Sequence, residues 1–199
     1  MTSSEDETRR FYSTEAAAYA TRGQACSERL DAFLALLPAG GTILELGCGG
    51  GQDSEAMLAK GFDVTPTDGI PEIAREAEKR LGRPVRVLLF ADIDERERYD
   101  GIWANACLLH VPRGELQPII VRIHTALKAG GVFYASFKTG SAEGRDRFQR
   151  YFNYPSAAWL RSVYSSLDWQ SLTIEEAQGG GYDREPTDWL HVTAIKRAQ

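Results

Sequence analysis

Along the chain, short runs of apolar residues alternate with stretches in which apolar positions recur every three or four residues. Thr42-Ile-Leu-Glu-Leu46 stops abruptly in Gly47-Cys-Gly-Gly-Gly51, the pattern of a strand buried on both faces that feeds a loop able to approach a ligand closely. A helix is expected next, capped by Asp53 or Ser54, carried by Ala56, Met57 and Leu58, and closed at Gly61. Phe62 to Asp68 reads as a second strand and Pro71 to Leu81 as a helix with proline in its first turn and Gly82 at its end. Val85 to Phe90 reads as a third strand and Tyr99 to Ala106 as a fourth. Leu116 to Leu127 is a helix, Lys128-Ala-Gly-Gly131 a turn, and Val132 to Phe137 a fifth strand. Before this series, residues 8 to 37 read as helix with a break around Thr21 to Gln24. After it, Gly140 to Pro155 interrupts the alternation, Trp159 to Leu167 is helical, and Trp169–Glu176 and Trp189–Ile195 form a closing pair of strands around the turn Gly179-Gly-Gly181.

Two features inside this pattern bear on chemistry. The third glycine of the dinucleotide fingerprint would fall at position 52, which is Gln52, and Glu45 puts a carboxylate near the loop, which suits a cationic ligand better than a pyrophosphate. Asp68 ends strand two about 20 residues after Gly47, the place from which an acid meets a ribose.

An acid, one residue, then Gly-x-Gly-x-Gly resembles the first motif of class I S-adenosylmethionine-dependent methyltransferases, and the resemblance extends over residues 10 to 197, closest to small bacterial enzymes related to the tellurite-resistance type. It implies an α/β fold: a Rossmann-like, mostly parallel seven-stranded sheet with helices on both faces and an antiparallel C-terminal hairpin, in one domain. Residues 1–37 would form a helical cap, 42–137 the cofactor core, and 138–197 a substrate-side insertion with the closing strands. The cofactor implied is S-adenosyl-L-methionine, with S-adenosyl-L-homocysteine as product. Glu45, Gly47, Cys48, Gly49 and Gly51 would hold its methionine end; Asp68, Gly69 and Ile70 the ribose; Ala91, Asp92 and Ile93 the adenine. Asn105 lies at the end of strand four, and Tyr12 and Tyr19 match a Tyr-x-x-x-Ala-x-x-Tyr segment laid over the cofactor. A sulfonium is an activated leaving group, so alignment is the main device required. His110, with His191 second, is the reachable base. Lys138, Arg150 and Tyr151 join these histidines as substrate-side candidates: the arginine and tyrosine cluster of residues 145–154 either binds an anionic acceptor or is a solvated loop. Two other classes share the α/β pattern, an NAD(P)-linked oxidoreductase and a non-catalytic S-adenosylmethionine-binding protein.

Composition narrows the partners. The 199 residues carry a net charge of −5 and are 43% hydrophobic, which provides for a core and argues against general nucleic-acid affinity. Three cysteines without paired spacing and three dispersed histidines suggest neither a disulfide framework nor a metal site. No apolar run is long enough to cross a membrane, and the polar start is unlike a signal peptide. A cytoplasmic protein acting on a small molecule is expected.

Overall fold

Ile43, Leu44 and Leu46 are completely buried because strands flank them on both sides and helices cover both faces. The computed structural model describes residues 3–21, 26–180 and 185–198. In chain order the strands are β1 (Thr42–Leu46), β2 (Asp63–Asp68), β3 (Arg86–Val87), β4 (Tyr99–Ala104), β5 (Leu127–Lys138), β6 (Gly144–Arg145), β7 (Tyr151–Phe152), β8 (Trp169–Gly180) and β9 (Pro186–Lys196). The helices are α1 (Ser3–Thr14), α2 (Ala16–Ala20), α3 (Leu30–Leu34), α4 (Gln52–Ala59), α5 (Pro71–Leu81), α6 (Arg113–Ala126) and α7 (Ala157–Tyr164). Seven strands form one sheet in the order β3-β2-β1-β4-β5-β9-β8, parallel except that β9 runs antiparallel to both β5 and β8. The expected architecture is present, and β6 and β7 add a separate two-stranded hairpin.

Alternation along the strands sorts the core. Leu44, Leu46, Ile102, Ala104, Phe133 and Ala135 pack with residues of α6 and α7. Their neighbours Ile43, Trp103, Val132 and Tyr134 pack with Leu30, Phe33 and Leu34 of α3 and Met57 of α4. Trp103 and Tyr134 stack there at 4.0 Å between ring centres.

Several boundaries depart from the sequence reading. The long N-terminal helix is three helices, because its apolar residues serve three partners: Phe11 packs on the ring of Phe148, α2 lies against α5, and Leu30, Phe33 and Leu34 meet the sheet. Most of the break expected at Thr21 to Gln24 lies outside the described residues, as does Gly181 of the closing turn. Strand three is only two residues long and both are exposed. After it Leu88 turns inward and Phe90–Asp92 form a 3-10 turn. Short, exposed and ending in a turn, β3 leaves little free edge for a further strand to pair with. Its pairing with β2 starts at Thr67, so Pro66 stands short of the outer ladder, a position where its missing N–H is tolerated. The expected turn at Lys128–Gly131 is instead the start of β5, whose register against β4 shifts between Tyr99 and Gly101. Gly51, with φ at +83°, rather than Asp53 or Ser54, caps α4.

Candidate functional site

The loops after β1, β2, β3 and β4 meet at the carboxyl end of the sheet, where open α/β sheets bind ligands, and enclose a cavity of about 410 Å³. Gly47 and Gly49 line it in the left-handed region, at φ +64° and +57°. A Cβ on Gly47 would lie 2.5 Å from Cβ of Cys107, and one on Gly49 would lie 3.3 Å from the Tyr19 ring. The glycines therefore form a cradle that side chains would fill. Asp68 closes the next side. Its Oδ2 accepts from Gly49 N (3.1 Å) and its Oδ1 from Ile70 N (2.8 Å). Burial raises its pKa to about 6 against the pull of those two N–H groups. Beyond it Leu88, Leu89, Phe90 and Ala91 face Val111 and Ile119 across an apolar part of the cavity.

A second acidic layer lies behind the glycines. Glu45 is 3% exposed, accepts a hydrogen bond from Ser54 Oγ and does not bound the cavity. It shares the α4 side of β1 with Ile43. Burial, reinforced by Asp53 and Asp68, raises its pKa to about 8. Asp53 accepts from Ser27 N (2.8 Å), Trp103 Nε1 (2.8 Å) and Asn105 Nδ2 (3.3 Å). Asn105 Oδ1 in turn accepts from Ser136 Oγ, and Ser136 Oγ accepts from Ala106 N, both at 2.8 Å. This chain of bonds pins Ala106, a cavity residue held at φ +52°, where a residue with a Cβ is strained.

The cover is built from α1 and α2. Tyr12 and Tyr19 meet edge to face at 5.2 Å between ring centres and both line the cavity. His110, after β4, contacts the carbonyl oxygen of Tyr151 through Nδ1 (2.6 Å) and the Tyr12 hydroxyl through Nε2 (2.9 Å). A carbonyl only accepts, so Nδ1 carries the proton and the Nε2 lone pair receives the Tyr12 O–H. Burial drives the His110 pKa down to about 4, aided by the charge of Arg150, and the ring is neutral at physiological pH. Burial likewise raises the Tyr12 phenol to about 12.

Of the residues expected from sequence, the cavity gathers Tyr12, Tyr19, Gly47, Gly49, Asp68, Gly69, Ile70, Ala91 and His110. The others stand elsewhere. Cys48 packs with Ala74, Ala77 and Val85, and a Cβ on Gly51 would lie 3.2 Å from Leu81. Asp92 is exposed, because the 3-10 turn carries Phe90 and Ala91 to the cavity and leaves the acid outside, while Ile93 joins the core. Asn105 is engaged by Asp53 and Ser136. Lys138 lies over the rings of Phe152 and Trp189. Tyr151 donates its hydroxyl to Glu143 (2.6 Å), and His191 Nδ1 contacts the Tyr134 hydroxyl (2.7 Å) on the α3/α4 side of the sheet. Arg150 is 2% exposed and bound to Asp146 and Tyr12 rather than turned to the cavity. Asp53 and Ser136 were not legible as site residues, since an acid and a serine at those places read as a helix cap and a strand residue.

Comparison with known proteins decides the family. A sequence family described as a methyltransferase domain matches residues 18–177. The chain belongs to that family. This methyltransferase domain is 33% identical over 108 residues to the ubiquinone biosynthesis O-methyltransferase of Xanthomonas axonopodis pv. citri, a match covering 51% of this chain and 44% of that protein. The corresponding protein of Xylella fastidiosa is 31% identical over 104 residues, covering 49% and 42%. The chain thus spans less than half the length of these curated relatives. Among solved structures, the 1,6-didemethyltoxoflavin-N1-methyltransferase of Burkholderia thailandensis superposes with a TM-score of 0.74 at 21% identity, covering 99% of this chain and 92% of that one. Phosphoethanolamine N-methyltransferase 2 of Haemonchus contortus gives 0.79 at 15% identity, covering 99% and 60%. At such identities the likeness is one of fold. The family match starts at Ala18, so the Tyr12 half of this methyltransferase's cover precedes the matched residues.

Proposed function

We propose that the domain takes S-adenosyl-L-methionine as methyl donor and methylates a small-molecule acceptor. The observation that carries this reading is the buried carboxylate of Asp68 beside a glycine cradle and an apolar slot, a donor set that fits a diol, a cationic chain and a flat base. Asp68 would receive the ribose hydroxyls, and Leu88 to Ala91 with Val111 and Ile119 would enclose the adenine. Gly47, Gly49 and Ala106 would admit the methionine end, with Asp53 behind them and Glu45 adding negative potential only as it ionises near pH 8. When bound, the donor supplies an activated sulfonium methyl open to in-line displacement. Alignment and exclusion of water are then left to the protein, and Tyr12, Tyr19 and the loop after β4 provide the walls. His110 holds a neutral ring whose Nε2 can take a proton once Tyr12 gives up that lone pair. Arg145 pairs with Glu7 and Arg150 with Asp146, which disfavours an anionic acceptor held by these cations.

The test is incubation of metabolite extracts with the protein and isotopically labelled donor, followed by mass spectrometry. A labelled, enzyme-dependent product is the expected result. Tight S-adenosylhomocysteine binding with no product from any extract would point to a non-catalytic binding protein, and preference for NADH in calorimetry would sink the donor assignment.

Binding should also depend on pH. The pKa of Asp68 is raised on folding from 3.8 to about 6, so its contribution to the stability of the ligand-free protein is present below the lower value and lost as pH rises through the upper one. A ligand whose hydroxyls and cation favour the ionised carboxylate must bind with proton release. Affinity for S-adenosylhomocysteine should therefore be about tenfold weaker at pH 5 than above pH 7, from the ionised fraction of one such group. Glu45, with its pKa raised to about 8, acts in the same direction at higher pH. Calorimetry in two buffers of different ionisation enthalpy reads the released proton directly, and pH-independent affinity would refute the assignment of Asp68.

A further inference from the structure

The Arg150 guanidinium is enclosed by four aromatic rings, those of Phe11, Tyr12, Phe148 and Phe152, at 5.0 to 5.8 Å from their centres. Its Nε and Nη2 donate to Asp146 Oδ2 (2.9 and 2.6 Å), and its Nη1 donates to the Tyr12 oxygen (3.1 Å). The other oxygen of Asp146 accepts from Phe148 N and Arg150 N, closing the turn between β6 and β7. The same face of α1 meets this hairpin along its length. Glu7 pairs with Arg145, Thr8 Oγ1 accepts from Tyr151 N (2.8 Å), and Phe11 packs on Phe148. Residues 7, 8, 11 and 12 share one helical face.

We infer that Arg150 is a positioning residue that fastens α1 to the β6–β7 hairpin behind it and holds the Tyr12 hydroxyl against His110, so that α1 and the hairpin move as one piece at the cavity. The Tyr151 carbonyl sets the direction, since it takes the Nδ1 proton and leaves Nε2 only a lone pair for the Tyr12 proton, while Arg150 occupies one lone pair of the Tyr12 oxygen and holds it in place. His110 in turn gives its Nδ1 proton to Tyr151, which belongs to the same hairpin. The fastening thus forms a closed circuit through α1, the hairpin and the loop after β4. A planar fork is required, because one guanidinium serves Asp146 and Tyr12 at once. The helical cap and the insertion therefore move jointly.

The inference bears on catalysis only through the methyltransferase reading, but its test needs no turnover. Hydrogen exchange of the full chain should show residues 3–14 and 144–152 slowing together when S-adenosylhomocysteine is added. In Arg150→Met both segments should exchange at least about tenfold faster while β1 and β4 keep their protection. Arg150→Lys should behave like Arg150→Met, because an ammonium lacks the fork. Nitrogen NMR of the histidine side chains should show His110 protonated at Nδ1, with its Nε2 resonance shifting in Arg150→Met and in Tyr12→Phe as the hydrogen bond is lost. Loosening of one segment alone, wild-type exchange in Arg150→Lys, or an Nε2 resonance that does not move would each overturn the inference. Should Arg150→Met lose protection in β1 and β4 as well, Tyr12→Phe decides by exchange: joint loosening supports the fastening and loosening of α1 alone refutes it.

Discussion

Asp68→Ala should weaken S-adenosylhomocysteine binding by more than about a hundredfold, as measured by calorimetry at pH 7.5. Two hydrogen bonds to a charged group, each about 1.5–3 kcal/mol, disappear together. The carboxylate also receives Gly49 N and Ile70 N, so its loss releases the glycine loop as well as the ligand. Asp68→Asn separates the two contributions, because one carbonyl oxygen remains for a backbone N–H while the charge is gone. Its affinity should fall between those of wild type and Asp68→Ala. Since burial disfavours the ionised acid in the empty protein, the melting temperature of ligand-free Asp68→Asn at pH 8 should equal or exceed that of wild type. An alanine variant that binds normally would remove Asp68 from the site.

Gly47→Ala should close the cavity and cost about 2–5 kcal/mol, the sum of left-handed strain on a residue with a Cβ and of overpacking against Cys107. In a domain of this size that lowers Tm by roughly 4–20 °C. Gly82 supplies the control: its φ of +61° nearly equals the +64° of Gly47, yet nothing lies within 4 Å of its added Cβ. Gly82→Ala should show the backbone strain alone, about 1–2 kcal/mol, with cofactor affinity unchanged. The difference between the two variants measures the contact with Cys107, and equal melting temperatures would mean that the loop yields freely.

Much of this arrangement was legible because it is encoded locally. Glycines that must adopt positive φ, an acid at the end of β2 and apolar runs of strand length need only a few neighbouring residues to be read. Glu45 shows a signal that was present and not used: it stands two residues from Ile43 and one from Leu44 and Leu46, so alternation assigns it to the α3/α4 side rather than to the ligand. The truncation of β3 depended on where an exposed edge stops pairing, and that exposure is tertiary. Arg150 was least legible of all. In sequence it sits among other arginines of a polar loop, and only the approach of α1, whose Tyr12 is 138 positions away, turns it from a surface cation into a buried one.

The fastening has a consequence for exchanging specificity between relatives. The cradle around Gly47 and Asp68 is contributed by β1 and β2, whereas the cover of α1 and α2 is backed by the hairpin and the turn at residues 107–113. Asn153 binds that turn through Leu108 O and Val111 O, and Arg113 reaches back to the carbonyls of Asn153 and Tyr154. A chimera that imports a foreign hairpin alone would strand Glu7, Thr8 and Tyr12 without their counterparts. The unit of transplantation is therefore three discontinuous stretches moved together, with the strands that carry the cradle left in place.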